Sequence, residues 1–193
     1  MKLIGKYRHF QNGDIKIKKY LIRKTIPSYK RRVFVFGPSG YGKSSVLIAN
    51  AIMKAENVLL ISSLPEAELN YMPAVSDKIS ACNHLCEINA NFTGKMAYCL
   101  DTVPTARIEE LFINEVIPYL ESSGFLMRTD VTIILDNLVF LTRLAGYLDQ
   151  VTKEWRCKVI INLTCGIGAC DVNFLSRKWW RLPVFTPLLQ LKN

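Results

Sequence analysis

Val33-Phe34-Val35-Phe36 is a short β-prone apolar run that ends at Gly37-Pro38-Ser39-Gly40-Tyr41-Gly42-Lys43-Ser44. No other stretch constrains the fold as strongly. A buried strand, a glycine-rich loop and then helical composition from Lys43 to Lys54 predict a strand–loop–helix unit. The eight loop residues satisfy G-x-x-x-x-G-K-[ST] at each fixed position. Glycines let the backbone bend until successive N–H groups face inward on an anion. The amino end of the helix adds its positive pole. Lys43 then supplies an ammonium for β- and γ-phosphates, and Ser44 a hydroxyl for Mg2+. Gly37, Pro38, Ser39, Gly40, Tyr41, Gly42, Lys43, Ser44 and Ser45 are therefore the candidate binding loop for ATP, with Mg2+ as its metal. An ordinary glycine-rich turn would not require the Lys-Ser pair.

Such a site calls for a carboxylate near the metal. Val131-Thr132-Ile133-Ile134-Leu135 reads as another buried strand, and Asp136 at its carboxyl end is the candidate second magnesium ligand. Lys43, Ser44 and Asp136 together form the candidate catalytic set; a merely capping aspartate is the plainer alternative. Fast hydrolysis also needs a group that polarises water, usually glutamate. Many such folds place it directly after the aspartate, where this chain has Asn137. Glu66 and Glu68 remain, and both read better as surface acids. Nucleotide is expected to be bound well and turned over slowly.

The rest of the chain fits an α/β domain with a mainly parallel sheet and helices on both faces. Val58–Ile61 and Lys158–Asn162 read as further buried strands. A helix from Thr105 carries Ile108, Leu111, Phe112, Val116, Tyr119 and Leu120 on one face, with Pro118 weakening its last turn. Leu138 to Trp155 reads as another helix, residues 64–95 give no clear element, and Val184–Leu191 predicts a final edge strand. Asn12-Gly13 between alternating residues predicts a hairpin near the start. The expected division is a basic segment of strands, 1–32, ahead of an ATP-binding domain, 33–193.

Charge is unevenly placed. Of 25 Lys and Arg, eleven fall in residues 1–32 against one acid, which leaves the remainder close to neutral. A basic segment on a balanced domain points to an anionic partner such as nucleic acid, or to a solvated edge. No run of about 18 apolar residues reads as a membrane span, and Met1 to Lys6 does not open a secretory signal. An intracellular protein without a membrane partner is expected. Six cysteines then read as reduced thiols, and Cys82-x-His84-x-Cys86 lacks a second ligand pair for zinc.

With these features assembled, the chain resembles the RecA-type recombinase superfamily. Within it, the resemblance is to the small eukaryotic recombinase paralogues, above all the Shu-complex ATPase that partners a SWIM-domain zinc protein. It is carried by Gly37 to Ser45, Val58 to Pro65, Pro104 to Leu111, the Asp136 strand, Ile160-Ile161-Asn162 and Trp179 to Leu189. The resemblance implies a RecA-like core, a nuclear role in recombination and DNA repair, and a hetero-oligomer with the SWIM-domain protein or another recombinase paralogue. It further implies single-stranded DNA contact through the loop 165–178, with Arg177, Lys178 and Arg181 on phosphates and Phe174, Trp179 or Trp180 stacking on bases. The tryptophans read equally as core or partner-facing residues. Two departures stand out: Ser62-Ser63-Leu64 lies where the family carries its glutamate, and Thr164 lies near the place of its γ-phosphate-sensing glutamine. The alternatives are a viral or mobile-element DNA-packaging or helicase-loader ATPase, and a small metabolite kinase. The first needs a water-activating glutamate, and the second an arginine-rich lid.

Overall fold

Runs of alternating polar and apolar residues at the start of the chain form a hairpin. Strand β1 (Ile4–Gln11) pairs antiparallel with β2 (Asp14–Ile22), Gln11 opposite Asp14 and Ile4 opposite Leu21. The computed structural model describes residues 4–11, 14–22, 25–63, 79–82, 84–88, 91–100, 103–137, 147–165, 179–185 and 189–191.

The apolar runs become the centre of a parallel sheet. Strands β3 (Arg32–Gly37) and β4 (Asn57–Ser62) flank the first loop and helix. Next come β5 (Ser80–Cys82), β6 (Lys95–Cys99), β7 (Val131–Asp136), β8 (Lys158–Thr164) and β9 (Trp180–Pro183). Their spatial order is β5-β6-β4-β7-β8-β3-β9, and each neighbouring pair is parallel. A last strand, β10 (Leu189–Leu191), pairs antiparallel with β2, so the hairpin sheet has the order β1-β2-β10.

Side chains alternate between the faces of a strand, so a strand covered on both sides must be apolar at successive positions. Phe34, Leu59, Ile133 and Ile161 belong to one core cluster, and their neighbours Val35, Leu60, Ile134 and Ile160 belong to the other. The second face is covered by a helix that starts as a π-wound segment, Lys43–Ile48, and continues as α1 (Ala49–Lys54). Val46, Leu47 and Ile52 are buried in that cluster. The first face is covered by α2 (Thr105–Leu111), a π-wound turn Phe112–Val116 and α3 (Ile117–Ser122). Phe112, Val116 and Leu120 are fully buried there, as the amphipathic pattern predicts.

The structure corrects one expectation and sharpens two others. Pro118 distorts its helix without ending it. The Ile117 amide reaches back five residues to the carbonyl of Phe112, and this wider turn leaves room for a proline ring that has no N–H to donate. Val184–Leu191 is not one edge strand: Trp180–Pro183 joins β3 and Leu189–Leu191 joins β2. The Val184 amide still donates to the Phe36 carbonyl at 2.8 Å, just past Pro183. Residues 64–95 do hold structure, since β5 and the start of β6 lie there. Of the helix expected from Leu138 to Trp155, residues 147–151 are helical, and 138–146 lie outside the described residues.

Candidate nucleotide-binding site

Strand register sets the site. In β3, β8 and β7, Val35 lies opposite Asn162 and Asn162 opposite Asp136, so three adjacent strands bring their carboxyl ends together. The loop leaves β3 at Gly37, which lies opposite Thr164. Gly37, Gly40 and Gly42 all have positive φ, at 149°, 78° and 84°. At Gly37 the requirement is also steric, because a Cβ would come within 2.1 Å of the Val184 carbonyl oxygen. Gly42 precedes the helix and has no side chain to cap it; its carbonyl accepts from the Val46 amide at 2.9 Å.

Below this loop lies a cluster of buried polar groups. Lys43 is only 4% exposed, and its Nζ donates to the Pro38 carbonyl at 2.6 Å. Burial lowers the pKa of its ammonium, while Cys165 and Asp136 oppose that shift. Asp136 is completely buried. Burial pushes its carboxyl up, and hydrogen bonds from Asn162 and Ser44, together with the Lys43 charge, pull the other way. Ser44 Oγ donates to Asp136 Oδ1 at 3.3 Å. The Asn162 amide donates to that same oxygen and lies 3.1 Å from Ser44 Oγ.

Two oxygens of the cluster stand out. Asp136 Oδ2 and Asn162 Oδ1 are buried and have no hydrogen-bond partner among the described residues. Each such group costs about 1–3 kcal/mol of desolvation, so a pair of them in one cluster requires a reason. Hard oxygen donors beside a serine hydroxyl and an anion-cradling loop are what Mg2+ takes. The residues present therefore fit a magnesium nucleotide: Ser44 and Asp136 on the metal, Lys43 and the loop amides on phosphate. Bound there, magnesium would neutralise phosphate charge and complete the coordination of the orphaned oxygens.

Asn137, directly after β7, is held by two hydrogen bonds. It adopts a left-handed φ of 56°, which asparagine tolerates better than most residues. Its N–H donates to the Asn162 carbonyl at 3.0 Å, and its carbonyl accepts from Ser63 Oγ at 2.5 Å. Asn162 is the functional residue that sequence reasoning overlooked. Its signal was available as the one amide within the apolar run Val159-Ile160-Ile161-Asn162-Leu163.

The loop from Gly37 to Ser45 and Asp136 are thus brought together. Arg177, Lys178 and Phe174 lie outside the described residues. Arg181 sits on β9 opposite Phe34 and is half-buried. Trp179 is 3% exposed within the core, and its Nε1 donates to Asp149 Oδ1 at 2.9 Å, so its ring is not offered to a base. Trp180 is half-buried against the second cluster. Glu66 and Glu68 also lie outside the described residues.

No family model and no curated protein matches the chain. Among solved structures it is similar to EssC (ATPases 2 and 3) from Geobacillus thermodenitrificans, with 11% identity over 91% of this chain. The match spans about a third (34%) of that protein, and its TM-score is 0.36. A likeness that weak decides neither the fold nor the activity.

Proposed function

We propose that this chain binds ATP with magnesium at the loop from Gly37 to Ser45 and serves as an accessory protein of homologous recombination and DNA repair. It acts in the nucleus on single-stranded DNA, within a small hetero-oligomer whose other member is a SWIM-domain zinc protein or a recombinase paralogue. One observation carries the nucleotide half: Ser44, Asp136 and Asn162 form a buried cluster with two unsatisfied oxygens directly under a glycine-rich loop and beside a buried lysine. The recombination half is supported by the motif order along the sequence and by the basic first 32 residues.

ATP acts in this reading as a clamp more than as fuel. Ser62, Ser63, Asp136, Asn137, Thr164 and Cys165 stand at the ends of the three strands that flank β3 on its β8 side. Among those described residues Asp136 is the sole carboxylate, and it already accepts from Ser44 and Asn162. Asn137 occupies the position next to it and cannot serve as a base.

Phosphate release by the purified chain tests this directly. We expect turnover below about 0.1 s⁻¹, two decades under the ~10 s⁻¹ median for enzymes. Turnover near that median would rule out a clamp. Affinity purification that recovers neither a zinc-binding nor a recombinase-like partner would remove the assembly half.

A further inference from the structure

A groove lies at the opposite end of the sheet from the phosphate loop. It has a volume of about 760 Å³ and is walled by the segment 25–31, the last turn of α1 and the amino ends of β7 and β8. A strand of six residues spans roughly 20 Å, so this groove and the nucleotide loop occupy separate ends of the domain. Its floor includes Thr132 and Ile160, both buried.

The charge in this groove is of one sign. Arg31, Lys54, Arg156 and Lys158 line it, and among the described residues no aspartate or glutamate does. Two acids adjoin the lining in sequence: Asp130 is held by Arg128 at 2.5 Å and by Asn57, and Glu56, next to Ala55, is exposed and does not line the groove. Lys158 Nζ donates to the Pro27 carbonyl at 2.9 Å, which fixes the ammonium at the groove wall. Four cations gathered from three separate elements repel one another, and an anion in the groove would relieve that repulsion. At one lip stands Tyr29, 78% exposed, with the Lys30 ammonium 5.3 Å from its ring centre.

We propose that this groove binds the phosphodiester backbone of a single-stranded nucleic acid, with Arg31, Lys54, Arg156 and Lys158 on phosphates and Tyr29 stacking on a base. The combination of a basic channel with an exposed aromatic platform is what sequence-tolerant single-strand binding requires. A small phosphate ester would need fewer cations and a closed pocket. Supporting this, burial and the neighbouring Lys54 both lower the pKa of the Lys158 ammonium, a cost that phosphate contact would offset. The proposal rests on the reading of the chain as a DNA-binding protein, and it moves the contact away from the loop 165–178.

Fluorescence anisotropy of a labelled oligothymidylate with the full chain tests it. Four phosphate contacts give a log–log salt slope of about −3, or roughly 50-fold weaker binding between 50 and 200 mM salt. Replacing two of the three exposed cations, Lys54→Ala with Arg156→Ala, should halve the slope to about −1.4, or roughly 7-fold over the same range. Tyr29→Ala should weaken single-strand binding by roughly 10-fold and leave a duplex of equal length unaffected. Retention of magnesium ATP by these variants serves as the check on folding, since none of the three residues lies in the phosphate loop. Undiminished oligonucleotide binding by the double variant, with loss instead in Arg177→Ala/Lys178→Ala, overturns the groove and leaves the DNA reading standing. Undiminished single-strand affinity in Tyr29→Ala overturns the stacking assignment. If the wild-type chain binds no oligonucleotide at all, the groove and the DNA reading fall together.

Discussion

Replacing Gly37 with alanine places a methyl carbon 2.1 Å from the backbone oxygen of Val184, where real contacts begin near 3.0 Å. The two backbones must part by about 0.9 Å, and overpacking of that kind costs about 1–3 kcal/mol. A side chain at a φ of 149° adds about 1–3 kcal/mol of backbone strain. The separation also stretches the Val184–Phe36 bond of 2.8 Å and the Cys165–Gly37 bond of 3.1 Å, each worth about 1 kcal/mol net. The expected loss is about 3–6 kcal/mol, a large share of the ~5–15 kcal/mol that holds a domain folded. Urea unfolding would show it as a midpoint lowered by roughly 2 M at unchanged slope. Gly40→Ala is the control. It shares a positive φ, 78°, but nothing lies within 4 Å of its added Cβ, so only about 1–2 kcal/mol of backbone strain remains. If the two variants unfold within 1 kcal/mol of each other, by the ~1 kcal/mol scatter expected of such substitutions, the claimed Val184 contact is wrong.

Further outcomes follow from the same cluster and core. Burial holds the Asp136 carboxyl above its ordinary 3.8, so the folded chain binds that proton more tightly than the unfolded chain. This contribution to stability is present below pH 3.8 and is lost as pH rises through the raised value. Asp136→Asn should therefore raise the melting temperature of the nucleotide-free chain at pH 7 by about 2–4 °C and abolish magnesium-dependent ATP binding. A lower melting temperature would contradict the assignment of a costly buried charge. Burial also pushes the Cys157 thiol up to about 12, whereas Cys86 is exposed. Iodoacetamide followed by mass spectrometry should label Cys86 in the native chain and Cys157 only after unfolding; equal labelling would show that Cys157 is accessible.

The parts of the fold that could be read from sequence are those whose physics is local. β3, β4, β7 and β8 are buried on both faces, so each appears as a mostly apolar run. The phosphate loop is visible because glycine, lysine and serine are each required at fixed spacing. β6 was hidden because Lys95-Met-Ala-Tyr-Cys has no β-branched residue and only Ala97 is buried; its strand comes from pairing with β4. β9 was hidden for a similar reason, since Trp180-Arg-Leu-Pro is a strand only by lying beside β3. The role of Asn162 depends on register, because only pairing of β8 with β7 puts its amide beside Asp136. The close approach of Val184 to Gly37 is likewise a tertiary fact, 147 residues apart in sequence.

Equilibrium dialysis of labelled ATP against the purified chain, with and without Mg2+, bears on the central claim most directly. We predict saturable retention by the wild-type chain, a clear fall when magnesium is chelated, and roughly 100-fold weaker binding in Lys43→Ala, as loss of a buried ammonium on phosphate entails. Equal retention by the wild-type and Lys43→Ala chains, or none by either, would contradict it.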